Sequence, residues 1–247
     1  MSLEGKNIIV SGGSRGIGKA VVLAFAERGA NVAFTFLSNN DAANEVVNES
    51  ESLKGTVKAY QVDIRNQQQV QKLVSDVVAQ WKYIDVVINN AGIRQDKSII
   101  FMSAENWNDV INTNLNGAFY FTQTAILHML KRKSGRVIFI SSISGIFGTP
   151  GQVNYSSTKA ALLGFTRSLA KEVAPYGVSV NAVAPGGVDT DMVATMNEKD
   201  KEKLLQGVPL GRICRVDEVT SVVKFLSDDA PEYLTGAVIP LDGGLGL

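Results

Sequence analysis

Alternation is the strongest constraint in this chain. Short apolar, β-rich runs recur along its 247 residues, and longer amphipathic stretches fill the gaps between them. Strand candidates are Asn7–Val10, Asn31–Thr35, Val57–Gln61, Val86–Asn89, Gly135–Ile140, Val178–Val183 and Ala237–Pro240. Helical patterns fit near Ile17–Arg28, Asp41–Ser52, Gln67–Gln80, Ala104–Lys131, Tyr155–Val173 and Val216–Leu226. A helix between two strands carries the chain back across the sheet, so the strands run parallel, and a parallel sheet needs cover on both faces. The expected fold class is therefore α/β: a doubly wound parallel sheet of about seven strands with helices on both faces. No linker, repeat or low-complexity segment divides the chain, so residues 1–247 are expected to form one domain. Ligands of such sheets bind beyond the C-terminal strand ends.

The first strand candidate runs into Ser11-Gly12-Gly13-Ser14-Arg15-Gly16-Ile17-Gly18 and then into a helical stretch that stops at Gly29. Strand, tight glycine loop and helix N-terminus make a site for a pyrophosphate, because bare backbone can come close and free N–H groups carry positive potential. The spacing is G-x-x-x-G-x-G rather than G-x-G-x-x-G. After the second strand the chain reads Phe36-Leu37-Ser38-Asn39-Asn40, and no carboxylate appears before Asp41. A carboxylate there would bind a ribose 2′-hydroxyl and repel a 2′-phosphate. Arg15 can pair with such a phosphate through its planar fork. The cofactor expected from these residues is NADP(H). Asp63, after the third strand, suits either an adenine amino group or the start of a helix. Asn89-Asn90-Ala91-Gly92, after the fourth, would let backbone pass close to the cofactor.

Tyr155 and Lys159 are four residues apart in a helical pattern and so share a face. Ser142 lies thirteen residues before the tyrosine. A phenol titrates near ~10 in water. A cation about 5 Å away is worth roughly 3 kcal/mol at an effective dielectric of ~20, or about two pKa units. The expectation is a tyrosine acidified by its lysine.

The 24 basic and 24 acidic side chains cancel, which argues against nucleic acid or an anionic membrane surface as partner. No apolar run reaches the ~18 residues of a membrane span, and the N-terminus does not read as a signal peptide, so a cytoplasmic protein is expected. One cysteine, Cys214, and one histidine, His128, leave no cysteine-based metal site, and no metal is expected.

Taken in order and spacing, Gly12 to Gly18, Asn89 to Gly92, Asn114, Ser142, Tyr155 with Lys159, and Pro185-Gly186 resemble the short-chain dehydrogenase/reductase family over essentially the whole chain. Asn112-Thr113-Asn114-Leu115, Gly151 to Tyr155, Val180 to Gly186, Thr190-Asp191-Met192 and Gly243-Gly244 resemble its reductases of 3-oxoacyl thioesters. The resemblance implies a Rossmann fold and a tetrad of Asn114, Ser142, Tyr155 and Lys159. Ser142 would bind the substrate carbonyl, Tyr155 would donate the proton, Lys159 would hold the nicotinamide ribose, and Asn114 would position a water. It also implies cofactor contacts from Gly12, Ser14, Arg15, Gly16, Ile17, Gly18, Ser38, Asp63, Ile64, Asn90, Ala91, Gly92, Tyr155, Lys159, Pro185, Gly186, Val188 and Thr190. Further implications are a homotetramer, a substrate flap near 188–211 carrying Met192 and Met196, and a substrate borne on acyl-carrier protein or coenzyme A, or else a sugar, steroid or polyol. The homotetramer would pair through the Ala104–Lys131 and Tyr155–Val173 stretches, whose apolar residues (Ala118, Phe119, Phe121, Leu162, Leu163, Phe165) cover more than a narrow stripe. Lys131, Arg132 and Lys133 offer an acidic carrier a basic cluster, whereas Tyr176 stands where the resembled reductases often have arginine.

Overall fold

The structure is a computed structural model that describes residues 3–190 and 205–246. Seven strands form one sheet: β1 (Asn7–Val10), β2 (Asn31–Phe36), β3 (Val57–Gln61), β4 (Val86–Asn89), β5 (Gly135–Ile140), β6 (Val178–Pro185) and β7 (Val238–Leu241). Their order is β3-β2-β1-β4-β5-β6-β7, and every neighbouring pair is parallel. Growth of the sheet reverses between β1 and β4, which opens a crevice at their C-terminal ends.

Helices α1 (Gly16–Glu27), α2 (Asn40–Ser50), α3 (Gln67–Trp81), α4 (Ala104–Ile111), α5 (Gly117–Arg132), α6 (Ser144–Phe147), α7 (Val153–Val173) and α8 (Val216–Lys224) connect the strands. Alternate strand residues feed two separate cores. Ile9, Val87, Val137 and Phe139 pack under α3, α5 and α7, burying Leu73, Phe121, Met129 and Leu162. Ile8, Val10, Ile88, Ile138 and Ile140 pack under α1, α2 and α8, burying Val22, Phe25, Val46 and Val223. Each fully buried aliphatic or aromatic side chain contributes about 1.5–3 kcal/mol, so both faces of the sheet are strongly held.

Three local differences from the sequence reading matter. The helix expected over Ala104–Lys131 is broken by a π turn at Asn112–Asn116, closed by a hydrogen bond from the Gly117 N–H to the Asn112 carbonyl. Asp63 does not start α3. Asn66 caps that helix by accepting from the Gln69 N–H at 3.1 Å. Ala118, Phe121, Leu162 and Leu163, which suggested a subunit contact, are buried in the chain's own core, while Phe119 and Leu127 face outward on α5. Met192 and Met196 lie outside the described residues.

Candidate active site

The glycine loop turns from β1 into α1 at one side of the crevice. A Cβ on Gly18 would sit 2.0 Å from the Gly12 carbonyl oxygen, so a larger residue cannot start the helix against the loop. The loop is braced from β4. The Asn90 amide donates to the carbonyls of Ser11 (3.1 Å) and Gly12 (2.8 Å), and the N–H groups of Asn90 and Ala91 donate to the Ser11 hydroxyl, each at 3.0 Å. Arg15 takes the N-cap position of α1 without a side-chain cap, which keeps the first-turn N–H groups available to an anion. Its side chain is exposed and forms no ion pair among the described residues. Ser14, Gly16 and Ile17 are half-buried in this loop, and the Thr190 methyl lies against Gly16.

Other predicted cofactor residues line the same strand ends. Ser38 is exposed after β2, and Asn39 beside it caps α2. Asp63 holds Arg65 through a two-pronged ion pair (2.9 and 2.7 Å), and this arginine keeps its carboxyl below the usual range. Ile64 is buried against Gly117. Pro185 ends β6, and the Gly186 N–H donates to the Leu241 carbonyl at 2.9 Å. Val188 is buried and bridges to Cys214. Thr190 donates to the Val188 carbonyl at 3.3 Å.

Opposite the loop, Ser142 follows β5, and Tyr155 and Lys159 project from the first turns of α7. Lys159 is buried, and its ammonium donates to the Ile140 carbonyl at 2.7 Å. The π turn brings Asn114 to the same point. Its Oδ1 accepts from the Ile93 N–H at 2.8 Å, and its Nδ2 donates to the Ile93 carbonyl (3.0 Å) and the Thr158 hydroxyl (3.2 Å). Gly92 lies between the two: a Cβ there would be 3.2 Å from Asn114 Oδ1 and 3.6 Å from Lys159 Nζ. The four tetrad candidates and the glycine loop therefore surround one crevice.

The electrostatics differ from the expectation for Tyr155. Its phenol is raised above its ordinary value, because the surrounding protein makes a phenolate costly; a hydrogen bond from Ser142 and the nearby Arg94 pull the other way, and Asp96 raises it further. The Lys159 ammonium, 5.5 Å from the Tyr155 ring centroid, is not among the groups that lower it. Burial instead pushes Lys159 down, from 10.5 to about 8. Desolvation is the cause of that shift, and the lysine's ion–dipole contact is with Ile140.

The basic cluster also differs. Lys131, Arg132 and Lys133 end α5 just before β5 begins, whereas Ser142 lies past its far end, roughly 20 Å away at ~3.3 Å per residue. Arg132 pairs with buried Asp85 at 2.8 Å and stacks 4.0 Å over Tyr83. Within one subunit this cluster does not border the crevice. Gln152, read in the sequence only as part of a motif, and Arg94 and Asp96, given no role from the sequence, converge beside Tyr155. Gln152 stands three residues before Tyr155, one helical turn away, and that spacing could have flagged it.

Residues 6–201 match the family model described as short chain dehydrogenase, and the chain belongs to that family. It is an oxidoreductase of the nicotinamide-dependent kind, and an uncapped helix N-terminus beside bare glycine backbone fits a dinucleotide pyrophosphate. Among curated proteins it is similar to the 3-oxoacyl-[acyl-carrier-protein] reductase FabG of Thermotoga maritima, with 42% identity over 245 residues covering 99% of both chains. The enzymes of the same name from Chlamydia trachomatis and Aquifex aeolicus are 41% and 42% identical, over 98% and 99% of both chains. No helix among the described residues is long and apolar enough to cross a membrane, and no group of three or more His, Cys, Asp or Glu there could hold a metal ion.

Proposed function

We propose that this chain reduces the 3-oxo group of an acyl thioester to a 3-hydroxyl group with NADPH, acting on acyl-carrier-protein substrates in fatty-acid synthesis, as the names of its relatives say of them. The observation that carries this reading is the convergence of Ser142, Tyr155, Lys159 and Asn114 on one crevice opposite the glycine loop. The reduced nicotinamide, when bound, supplies the hydride. Ser142 and Tyr155 donate hydrogen bonds to the oxygen on which negative charge develops, and Tyr155 gives up its proton there. A phenol held neutral by its surroundings is in the form a proton donor needs. Lys159 restores the proton: with its value near 8 it exchanges readily at neutral pH. Asn114, its side chain anchored by Ile93 and Thr158, holds a water on the route to solvent.

Arg15 and the carboxylate-free end of β2 support NADP over NAD. Gly12, Ser14, Gly16, Ile17, Gly18, Asn90, Ala91 and Gly92 take the pyrophosphate side, Ser38, Asp63 and Ile64 the adenosine side, and Pro185, Gly186, Val188 and Thr190 the nicotinamide side. The chain acts as one domain in the cytoplasm, and Phe119 and Leu127 on α5 are covered in a homotetramer; most of the flap expected near 188–211 lies outside the described residues. The position of Lys131–Lys133 favours a second reading, a coenzyme A thioester substrate, which needs no docking surface for an acidic carrier protein. Oxidation of NADPH followed at 340 nm separates these readings. Turnover of acetoacetyl-carrier protein well above acetoacetyl-CoA supports the first, turnover of acetoacetyl-CoA alone the second, and turnover of neither refutes both.

A further inference from the structure

A continuous hydrogen-bond chain leads from the crevice rim to Ser142. Arg94 forms an ion pair with Asp96. The Gln152 amide donates to Asp96 Oδ2 at 2.8 Å, and its Oε1 accepts from the Ser144 hydroxyl at 3.2 Å. Ser144 Oγ in turn accepts from the Thr149 hydroxyl at 2.9 Å. Finally, the Ser144 N–H donates to Ser142 Oγ at 3.1 Å.

We propose that Gln152 is a positioning residue for Ser142, with the Arg94–Asp96 ion pair fixing which way its amide faces. The direction of each bond follows from chemistry. An ionised carboxylate only accepts, so Asp96 turns the NH2 of Gln152 towards itself. The amide oxygen must then face Ser144 and take its proton. Ser144, held on both sides, keeps its N–H on Ser142 Oγ. That bond fixes the Ser142 oxygen in place, and its one proton, which here goes to the Tyr155 phenol, turns to the substrate carbonyl when that oxygen enters. Gln152 itself is buried, at 7% exposure, although Asp96 and Thr149 at the two ends of the relay face solvent. Arg94 and Asp96 also act on the Tyr155 phenol in opposite senses, which places the pair within electrostatic reach of the proton donor. The proposal rests on the reading of Ser142 as the hydroxyl that orients the carbonyl.

The test compares Gln152→Ala and Gln152→Glu with the native enzyme, using NADPH oxidation from pH 5.5 to 9. Acetoacetyl-CoA and a set of simple cyclic ketones serve as parallel substrates. Gln152→Ala should lower kcat roughly 10- to 100-fold at every pH, with the KM for NADPH unchanged, since a misoriented catalytic group costs on that order. Gln152→Glu carries its own internal control. A protonated Glu can donate to Asp96 and accept from Ser144; an ionised one cannot donate and repels Asp96. Its kcat should therefore be near native at low pH and fall as pH rises through a glutamate value that Asp96 raises. Activity that returns on re-acidification shows that the variant stays folded. Native kcat in Gln152→Ala, a Gln152→Glu profile parallel to the native one, or a raised ketone KM with unchanged kcat would overturn the relay. Native turnover of the cyclic ketones alone would overturn the thioester reading, and the relay would be read on those ketones.

Discussion

Lys159→Met isolates what burial of the lysine does to stability. The native ammonium titrates near 8 in the fold, against 10.5 ordinarily. Between these values the unfolded chain binds more protons than the folded one, so stability rises with pH. Below about pH 8 both forms are protonated and the whole penalty applies: 2.5 units at ~1.36 kcal/mol each, or about 3 kcal/mol. Between pH 7 and 9.5 about 2 kcal/mol of it is relieved. Methionine has similar length and does not titrate, so its packing gain and the loss of the Ile140 hydrogen bond enter equally at both pH values. Urea unfolding of native protein and variant without cofactor, at fixed protein concentration, measures the difference. Relative to the variant, the native protein should gain about 2 kcal/mol from pH 7 to 9.5. A gap that stays constant over that range would mean the ammonium is solvated in the fold, and the argument from burial would fail.

Three further outcomes are expected. Tyr155→Phe should leave NADPH affinity nearly unchanged, by fluorescence titration, while turnover drops about 10²- to 10⁴-fold; near-native turnover would exclude a proton-donor role. Arg15→Ala should weaken NADPH binding about tenfold and leave NADH binding unchanged, and equal weakening of both would place Arg15 away from the 2′-phosphate. Asp85→Ala removes a buried carboxylate that accepts from the Asn7 N–H at 2.8 Å and pairs with Arg132. It should cost about 2–3 kcal/mol in urea unfolding with kcat preserved, because Asp85 lies at the sheet end remote from Ser142.

The fold was legible because its signals are local. Asn7–Val10, Val57–Gln61, Val86–Asn89 and Gly135–Ile140 have the same bounds in the sequence pattern and in the structure. The parallel sheet follows from the helical stretches between such runs, and glycine spacing announces the loop that joins β1 to α1. The four-residue step from Tyr155 to Lys159 fixes their shared helix face, since helix geometry alone sets it.

The sign of the electrostatics was not legible, because it depends on what surrounds a group rather than on what neighbours it in the chain. Tyr155 is raised by the protein packed around it, and Lys159 turns to the Ile140 carbonyl nineteen residues earlier in sequence. Likewise Asp85, far away in sequence, takes Arg132 out of the basic cluster, and Asp96 reaches Gln152 across 56 positions. Sequence periodicity determined which elements form and which way their faces point. Only packing decided which atoms lose water and which partner each one meets, because desolvation and hydrogen-bond geometry act through space between segments that the chain order keeps apart.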